Sequence, residues 1–291
     1  MRKFIKKAKI VDVTVRDGLQ SYPKNLTVNQ RLSIVGKISS LGFNDIEVGS
    51  LVSDKIIPQM KDSMQVYNLC KEQNTSINYH MLVSNKYGMD ILMQNNVQNI
   101  CFFTSPSDSF NKKNINCTVD ESFFKIGQMM NQITNGAYTK GYLSCVTECP
   151  YEGQIKTSKI IDAIVRLHEL GINEICLSDT LGTVKKERFY DLISNIDSNI
   201  SSSLSIHLHQ NLGNDDWKQV IKNCIDNNIL TFDTSLLNLG GCPAAFSKEK
   251  KSGNLDLNDL VEFLDKIEIG HDIKKNNIKK IEDQIKLILE K

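Results

Sequence analysis

The sequence predicts one (β/α)8 barrel of the TIM-barrel class with additional C-terminal helices, on three observations. Short apolar, β-branched-rich runs alternate along the whole chain with segments of helical period, the pattern of parallel strands joined by crossover helices. Eight such repeats suit a closed barrel better than an open doubly wound sheet, and no Gly-x-Gly-x-x-Gly follows the first strand to mark a dinucleotide site. The length, 291 residues, fits a single barrel of about 250 residues with an extension. With no low-complexity stretch or evident linker, residues 1–291 are read as one domain.

The strands are expected near residues 8–15, 44–49, 77–83, 99–105, 138–146, 173–178, 203–209 and 231–237. Helices are expected between them near 27–41, 58–72, 86–95, 118–134, 156–170, 185–197 and 214–227, and two more near 256–266 and 273–289 close the chain. Thr27, Thr118 and Asn214 stand where N-caps belong. Gly42 and Gly171 fall just past helix ends, where a left-handed residue stops a helix.

Composition bounds the function. The chain is 40% hydrophobic and 24% charged, which is ordinary for a globular protein. A net charge of +1 leaves no electrostatic footprint for nucleic acid, and the lysines near the two ends read as solvated surface. No apolar run approaches the ~20 residues that span a bilayer, so no membrane association is expected. The start, Met1-Arg-Lys-Phe-Ile-Lys-Lys-Ala-Lys9, is too interrupted by charge for a signal peptide. The eight cysteines are therefore expected as reduced thiols in a cytoplasm, and the Cys145/Cys149 pair lacks the second pair that a zinc site needs.

Barrel chemistry sits where strands end and βα loops begin, and that rule selects the candidates. The seventh strand reads Leu204-Ser-Ile-His-Leu-His-Gln210. Alternation puts His207 and His209 on one face and Leu204, Ile206 and Leu208 on the other. Two imidazoles on one face at a barrel mouth suit a divalent metal. The first strand ends in Arg16-Asp17-Gly18. Asp17 could complete a two-His, one-carboxylate site and Arg16 face an anionic substrate oxygen, or the two could form a plain surface pair. On the second strand Glu47 is a candidate for the barrel interior, where a carboxylate needs a partner such as Arg16. Two roles are open to Asp179, at the end of the sixth strand: orienting a neighbouring loop, or serving the site. After the eighth strand Gly240-Gly-Cys-Pro243 suggests a mobile loop carrying a thiol, Cys242, into the mouth.

Taken in order, several segments resemble the 3-hydroxy-3-methylglutaryl-CoA lyase family of metal-dependent barrel enzymes. They are Arg16-Asp-Gly-Leu-Gln20, Ile57-Pro-Gln-Met60, Lys112-Lys-Asn-Ile-Asn-Cys117, Cys149-Pro-Tyr-Glu-Gly153, Ser178-Asp-Thr-Leu-Gly182, the His207/His209 pair, Gly240-Gly-Cys-Pro243 and Ser252-Gly-Asn254. The resemblance implies cleavage of a tertiary 3-hydroxyacyl-CoA to acetyl-CoA and acetoacetate with Mg²⁺ or Mn²⁺, a reaction of leucine degradation and ketone-body metabolism. It implies Asp17, His207, His209 and Asn254 as metal ligands, and Arg16 as a substrate contact that steadies an enolate oxygen. Cys242 then matches the catalytic loop cysteine, Glu47 and Asp179 acidic residues of the site, and Lys112, Lys113 and Asn114 a stretch near the coenzyme A tail. A homodimer is implied as well.

Three positions depart from the lyase pattern. Gln210 and Asn258 stand where the family carries acidic residues, and the stretch between Cys242-Pro243 and Gly253 is longer and more charged. Both replacements remove negative charge from the neighbourhood of the metal, where surrounding groups tune ligand basicity. Other readings of the same residues are an aldolase or lyase for a related 3-hydroxyacyl-CoA or hydroxy-keto acid, and a catalytically silent acyl-CoA-binding protein. A non-haem iron oxygenase is a third, against which the βα alternation argues.

Overall fold

Eight parallel strands close on themselves in chain order: β1 (Lys9–Asp12), β2 (Asp45–Leu51), β3 (Asn78–Val83), β4 (Asn99–Thr104), β5 (Tyr138–Leu143), β6 (Glu174–Asp179), β7 (Leu204–Gln210) and β8 (Thr231–Thr234). β8 pairs with both β7 and β1, which closes the barrel. The computed structural model describes residues 6–134, 136–201, 203–210, 215–241 and 253–291. The expected (β/α)8 architecture is therefore present. Its helices are α1 (Val28–Ser40), α2 (Ser63–Gln73), α3 (Lys86–Gln94), α4 (Asp108–Ile115), α5 (Val119–Met130), α6 (Thr157–Glu169), α7 (Lys186–Ser194), α8 (Ser198–Ser201), α9 (Asp216–Asp226), α10 (Leu257–Lys266) and α11 (Ile278–Glu290).

The apolar core lies between barrel and helices, where Leu204, Ile206 and Leu208 of β7 are buried with Val220, Ile221 and Leu260. The caps follow their residue types. Thr27 with Gln30 and Thr118 with Glu121 form capping boxes, while Gly42 and Gly171 take φ of +98° and +79° past helix ends. Asn214 lies outside the described residues.

Several boundaries differ from the sequence reading, each for a local reason. β1 stops at Asp12, and Thr14–Gly18 form a π-helical turn closed by Gly18 N–H donating to Val13 O at 3.0 Å. Asp12 drives the change of direction, since its carboxylate accepts from Thr14 N at 3.0 Å and Thr14 Oγ1 at 2.8 Å. The helix expected over 58–72 is split at Asp62, whose φ is +61°. The sequence reading missed α4, α8, a small hairpin (Glu148–Cys149 with Gly153–Gln154) and a two-residue strand, Gly253–Asn254, antiparallel to the end of β7.

Asp12 also gives a prediction about pH. Burial pushes its carboxyl up to about 7, against the lowering effect of the Thr14 bonds. A carboxyl with a raised folded pKa favours the folded state most below its unfolded pKa, and the advantage fades as pH climbs from about 3.8 to about 7. Asp12→Asn should therefore gain on the parent by up to about 4 kcal/mol between pH 4 and pH 8. Denaturant midpoints at the two pH values measure this, and parallel curves for the two proteins would exclude the assignment.

Candidate metal centre

β7 delivers its two imidazoles as alternation requires. His207 and His209 are buried side by side, with their Nε2 atoms 3.2 Å apart and each 3.9 Å from Asp17 Oδ2. Asp17 reaches them because the π-helical turn after β1 carries it over the barrel mouth. One ligand atom from each of the three lies within 4.8 Å of the others. The other side of each ring fixes its tautomer. His209 Nδ1 faces the Thr180 carbonyl oxygen at 2.9 Å, and His207 Nδ1 faces Asp233 Oδ2 at 3.2 Å. Both partners are acceptors, so both Nδ1 atoms carry the proton and both Nε2 lone pairs converge. Burial, then the neighbouring His207, lowers His209 to about 4, so it is neutral at pH 7. Asp17 Oδ2 is buried with no hydrogen-bond partner. With both rings in the Nδ1–H form these three atoms all act as acceptors, an arrangement that suits a cation.

Asn254 belongs to the same cluster. Pairing of Gly253–Asn254 with β7 sets it opposite His209. Its carboxamide comes close to Asp17 without completing a hydrogen bond, leaving Oδ1 and Nδ2 buried and unpartnered. Two glycines make room for this. A Cβ on Gly240 would stand 2.4 Å from Asn254 Nδ2, and one on Gly253 only 1.9 Å from Asn238 O. Gly240 was expected to free the loop that carries Cys242, and residues 242–252 of that loop lie outside the described residues.

Arg16 bridges two carboxylates. Its Nε donates to Glu47 Oε2 and its Nη1 to Asp17 Oδ1, each at 2.5 Å. Burial would raise the Asp17 carboxyl, but Arg16 and the two histidines outweigh it and hold it below the ordinary range. Glu47 Oε1 accepts from Tyr142 OH and, at 3.4 Å, from Cys101 Sγ. Tyr142 OH also reaches Asp233 Oδ2 at 2.8 Å, and Lys140 Nζ bridges Asp233 Oδ1 at 2.7 Å and Glu174 Oε1 at 3.2 Å. This connected network holds four carboxylates (Asp17, Glu47, Asp233, Glu174) and two cations (Arg16, Lys140), all buried. The carboxylate and two imidazoles at its edge are a donor set that fits a divalent metal. Tyr142, Lys140 and Asp233 were missed by sequence reasoning. Their only signal was polarity on one face of a strand.

The other expected residues fall as follows. Asp179 accepts from Thr147 Oγ1 at 2.6 Å, Thr183 N at 3.2 Å and Val184 N at 2.9 Å. It therefore shapes the loop whose Thr180 carbonyl holds His209. Gln210 donates to Asp259 Oδ2 at 2.7 Å and accepts from Asp256 N at 3.2 Å, tying the end of β7 to α10 beside Asn254. Asn258 pairs with Glu262. Lys112 and Lys113 are exposed on α4, which follows directly on the mouth end of β4, and Asn114 beside them is half-buried. Cys242 lies outside the described residues. The seven described cysteines are free thiols, and no described helix is long and apolar enough to cross a membrane.

Fold and centre together define a barrel enzyme whose mouth carries three side chains able to hold a divalent metal. Residues 7–285 match the HMGL-like family model, and the chain belongs to that family, which makes it a carbon–carbon lyase. It is 32% identical over 266 residues to the bovine mitochondrial hydroxymethylglutaryl-CoA lyase, covering 90% of this chain and 79% of that one. The crystal structure of hydroxymethylglutaryl-CoA lyase from Pseudomonas aeruginosa superposes with a TM-score of 0.90 at 29% identity, covering 99% of this chain and 95% of that one. A lyase from Acinetobacter baumannii in complex with coenzyme A and 3-methylmalate gives 0.89 at 26% identity, covering 100% and 93%.

Proposed function

We propose that this protein cleaves 3-hydroxy-3-methylglutaryl-CoA to acetyl-CoA and acetoacetate with Mg²⁺ or Mn²⁺ held by Asp17, His207, His209 and Asn254. The observation that carries the reading is the donor-free convergence of Asp17 Oδ2 and two Nε2 atoms beside a guanidinium fixed by Glu47. When bound, the ion supplies Lewis acidity toward the substrate's tertiary hydroxyl. In the cleavage the hydroxyl gives up its proton to a general base, its oxygen becomes the acetoacetate carbonyl, and the bond to the thioester's α-carbon breaks. The electron pair gathers on the thioester oxygen, and Arg16 offers fixed positive charge there, its Nη2 making no hydrogen bond among the described residues.

The departing α-carbon then needs a proton, which Cys242 suits by its place after Gly240 and Gly241. Glu47 serves by holding Arg16, and Asp179 by anchoring the Thr180 carbonyl that orients His209. Lys112, Lys113 and Asn114 are assigned to the coenzyme A tail, since a phosphate-bearing ligand calls for cations at the mouth. A homodimer working in the cytoplasm as one catalytic unit over 1–291 completes the reading, and sedimentation tests the dimer.

The deciding assay is release of acetoacetate from the purified, Mn²⁺-supplemented protein. Turnover of another 3-hydroxyacyl-CoA without acetoacetate would move the reading to a related substrate, and tight acyl-CoA binding with no cleavage across several metals would make it a binding protein. Cys242→Ser is expected to bind Mn²⁺ as the parent does while losing about 10²-fold or more in turnover. An unchanged rate would remove Cys242 from the mechanism.

A further inference from the structure

Asp233 belongs to none of the motifs, yet four side chains of the barrel interior converge on it. It is the third residue of β8 and wholly buried. Its Oδ1 accepts from Lys140 Nζ at 2.7 Å. Its Oδ2 faces Tyr142 OH at 2.8 Å, His207 Nδ1 at 3.2 Å and Cys176 Sγ at 3.7 Å. From Tyr142 the contacts run to Glu47, from Glu47 to Arg16, from Arg16 to Asp17, and so back to His207. The ring closes around the metal centre, and Asp233 is where its ligand half meets its substrate half.

We propose that Asp233 is a positioning residue for both halves, an inference that rests on the metal-centre reading above. It accepts the Nδ1 proton of His207, so that the Nε2 lone pair faces the ion. A carboxylate behind a ligating histidine fixes tautomer and ring angle in this way. It also receives Tyr142, whose hydroxyl spans Asp233 and Glu47 and so sets the carboxylate that grips Arg16. A mere counter-ion for Lys140 would need only Oδ1. Here Oδ2 serves the site.

The test separates the two limbs. In Asp233→Asn the carbonyl can stay toward Lys140, which turns the amide N–H₂ toward His207 Nδ1. That atom must then accept, and the proton moves to Nε2, where it opposes the metal. Mn²⁺ affinity is expected to fall 10- to 100-fold, and the visible spectrum of the Co²⁺-loaded protein to change. Tyr142→Phe leaves the His207 bond intact, so Mn²⁺ affinity should stay within about twofold while turnover falls at least tenfold. If Asp233→Asn alone does not fold, the double variant K140M/D233N neutralises the buried pair together and should show the same loss of Mn²⁺ affinity against K140M. Parent protein that binds no Mn²⁺ sinks the metal centre and this inference with it. Parent that binds while D233N, or K140M/D233N against K140M, binds equally well overturns the Asp233 assignment alone. So does a Tyr142→Phe protein whose Mn²⁺ affinity drops as far.

Discussion

Stripping divalent metal with a chelator is expected to abolish turnover and to lower the melting temperature by about 5–10 °C. The proposed metal centre gathers acceptors that a divalent cation would hold together. Asp17 Oδ2, His207 Nε2 and His209 Nε2 face one another, and Asp17 Oδ2 has no hydrogen-bond partner of its own. A ligand present at 100 times its Kd stabilises the folded state by about 2.7 kcal/mol. For a domain of this size each kcal/mol moves the midpoint by roughly 2–4 °C. Mn²⁺ should restore both properties, and His209→Ala should lose both responses while folding in the absence of metal. Calorimetry with a parallel acetoacetate assay reads the two together. Full turnover in protein verified to be metal-free would end the metal-dependent reading, and so would a midpoint indifferent to Mn²⁺.

What the sequence made legible depended on the range of the cause. His207 and His209 could be read because period-two alternation is local, and the leucines between them named the outer face. The Arg16–Glu47 pair could be anticipated because a carboxylate in a barrel interior needs a partner. Asp233, Tyr142 and Lys140 could not. Their bonds join residues 91 to 95 apart, and Tyr138-Thr-Lys-Gly-Tyr-Leu143 reads equally well as a strand with its polar side in solvent. The end of β1 was hidden by two β-branched valines, Val13 and Val15, that favour a strand. Asp12 overrides them by capturing Thr14. α4 was missed because its lysines and asparagines give no apolar stripe, although Ser107 caps its start. The removal of charge expected from Gln210 has a structural counterpart that the sequence did not suggest. Its amide joins Asp259 to β7, against which the strand of Asn254 pairs, where a carboxylate would repel Asp259.

Arg16→Gln is expected to cost about 10³-fold in turnover, and a second substitution shows why the loss is chemical rather than structural. In the proposed reaction the guanidinium offers fixed charge where the enolate develops, and deleting a preorganised donor of that kind costs about 10²–10³ in rate. Loss of the full charge puts the expectation at the upper end. The same change leaves Glu47 and Asp17, both buried, without their cation, and breaking one partner from a buried pair destabilises by about 3–5 kcal/mol. Stability and rate therefore fall together in the single variant. Adding Glu47→Gln removes one of the two stranded carboxylates, lets the two amides hydrogen-bond, and should recover much of the melting temperature. It should recover none of the turnover, because the missing element is positive charge at the thioester oxygen. Such a cycle divides one residue's two contributions. If turnover returned with stability, Arg16 would be reduced to a structural counter-ion, and the charge that steadies the enolate would have to come from elsewhere in the barrel mouth.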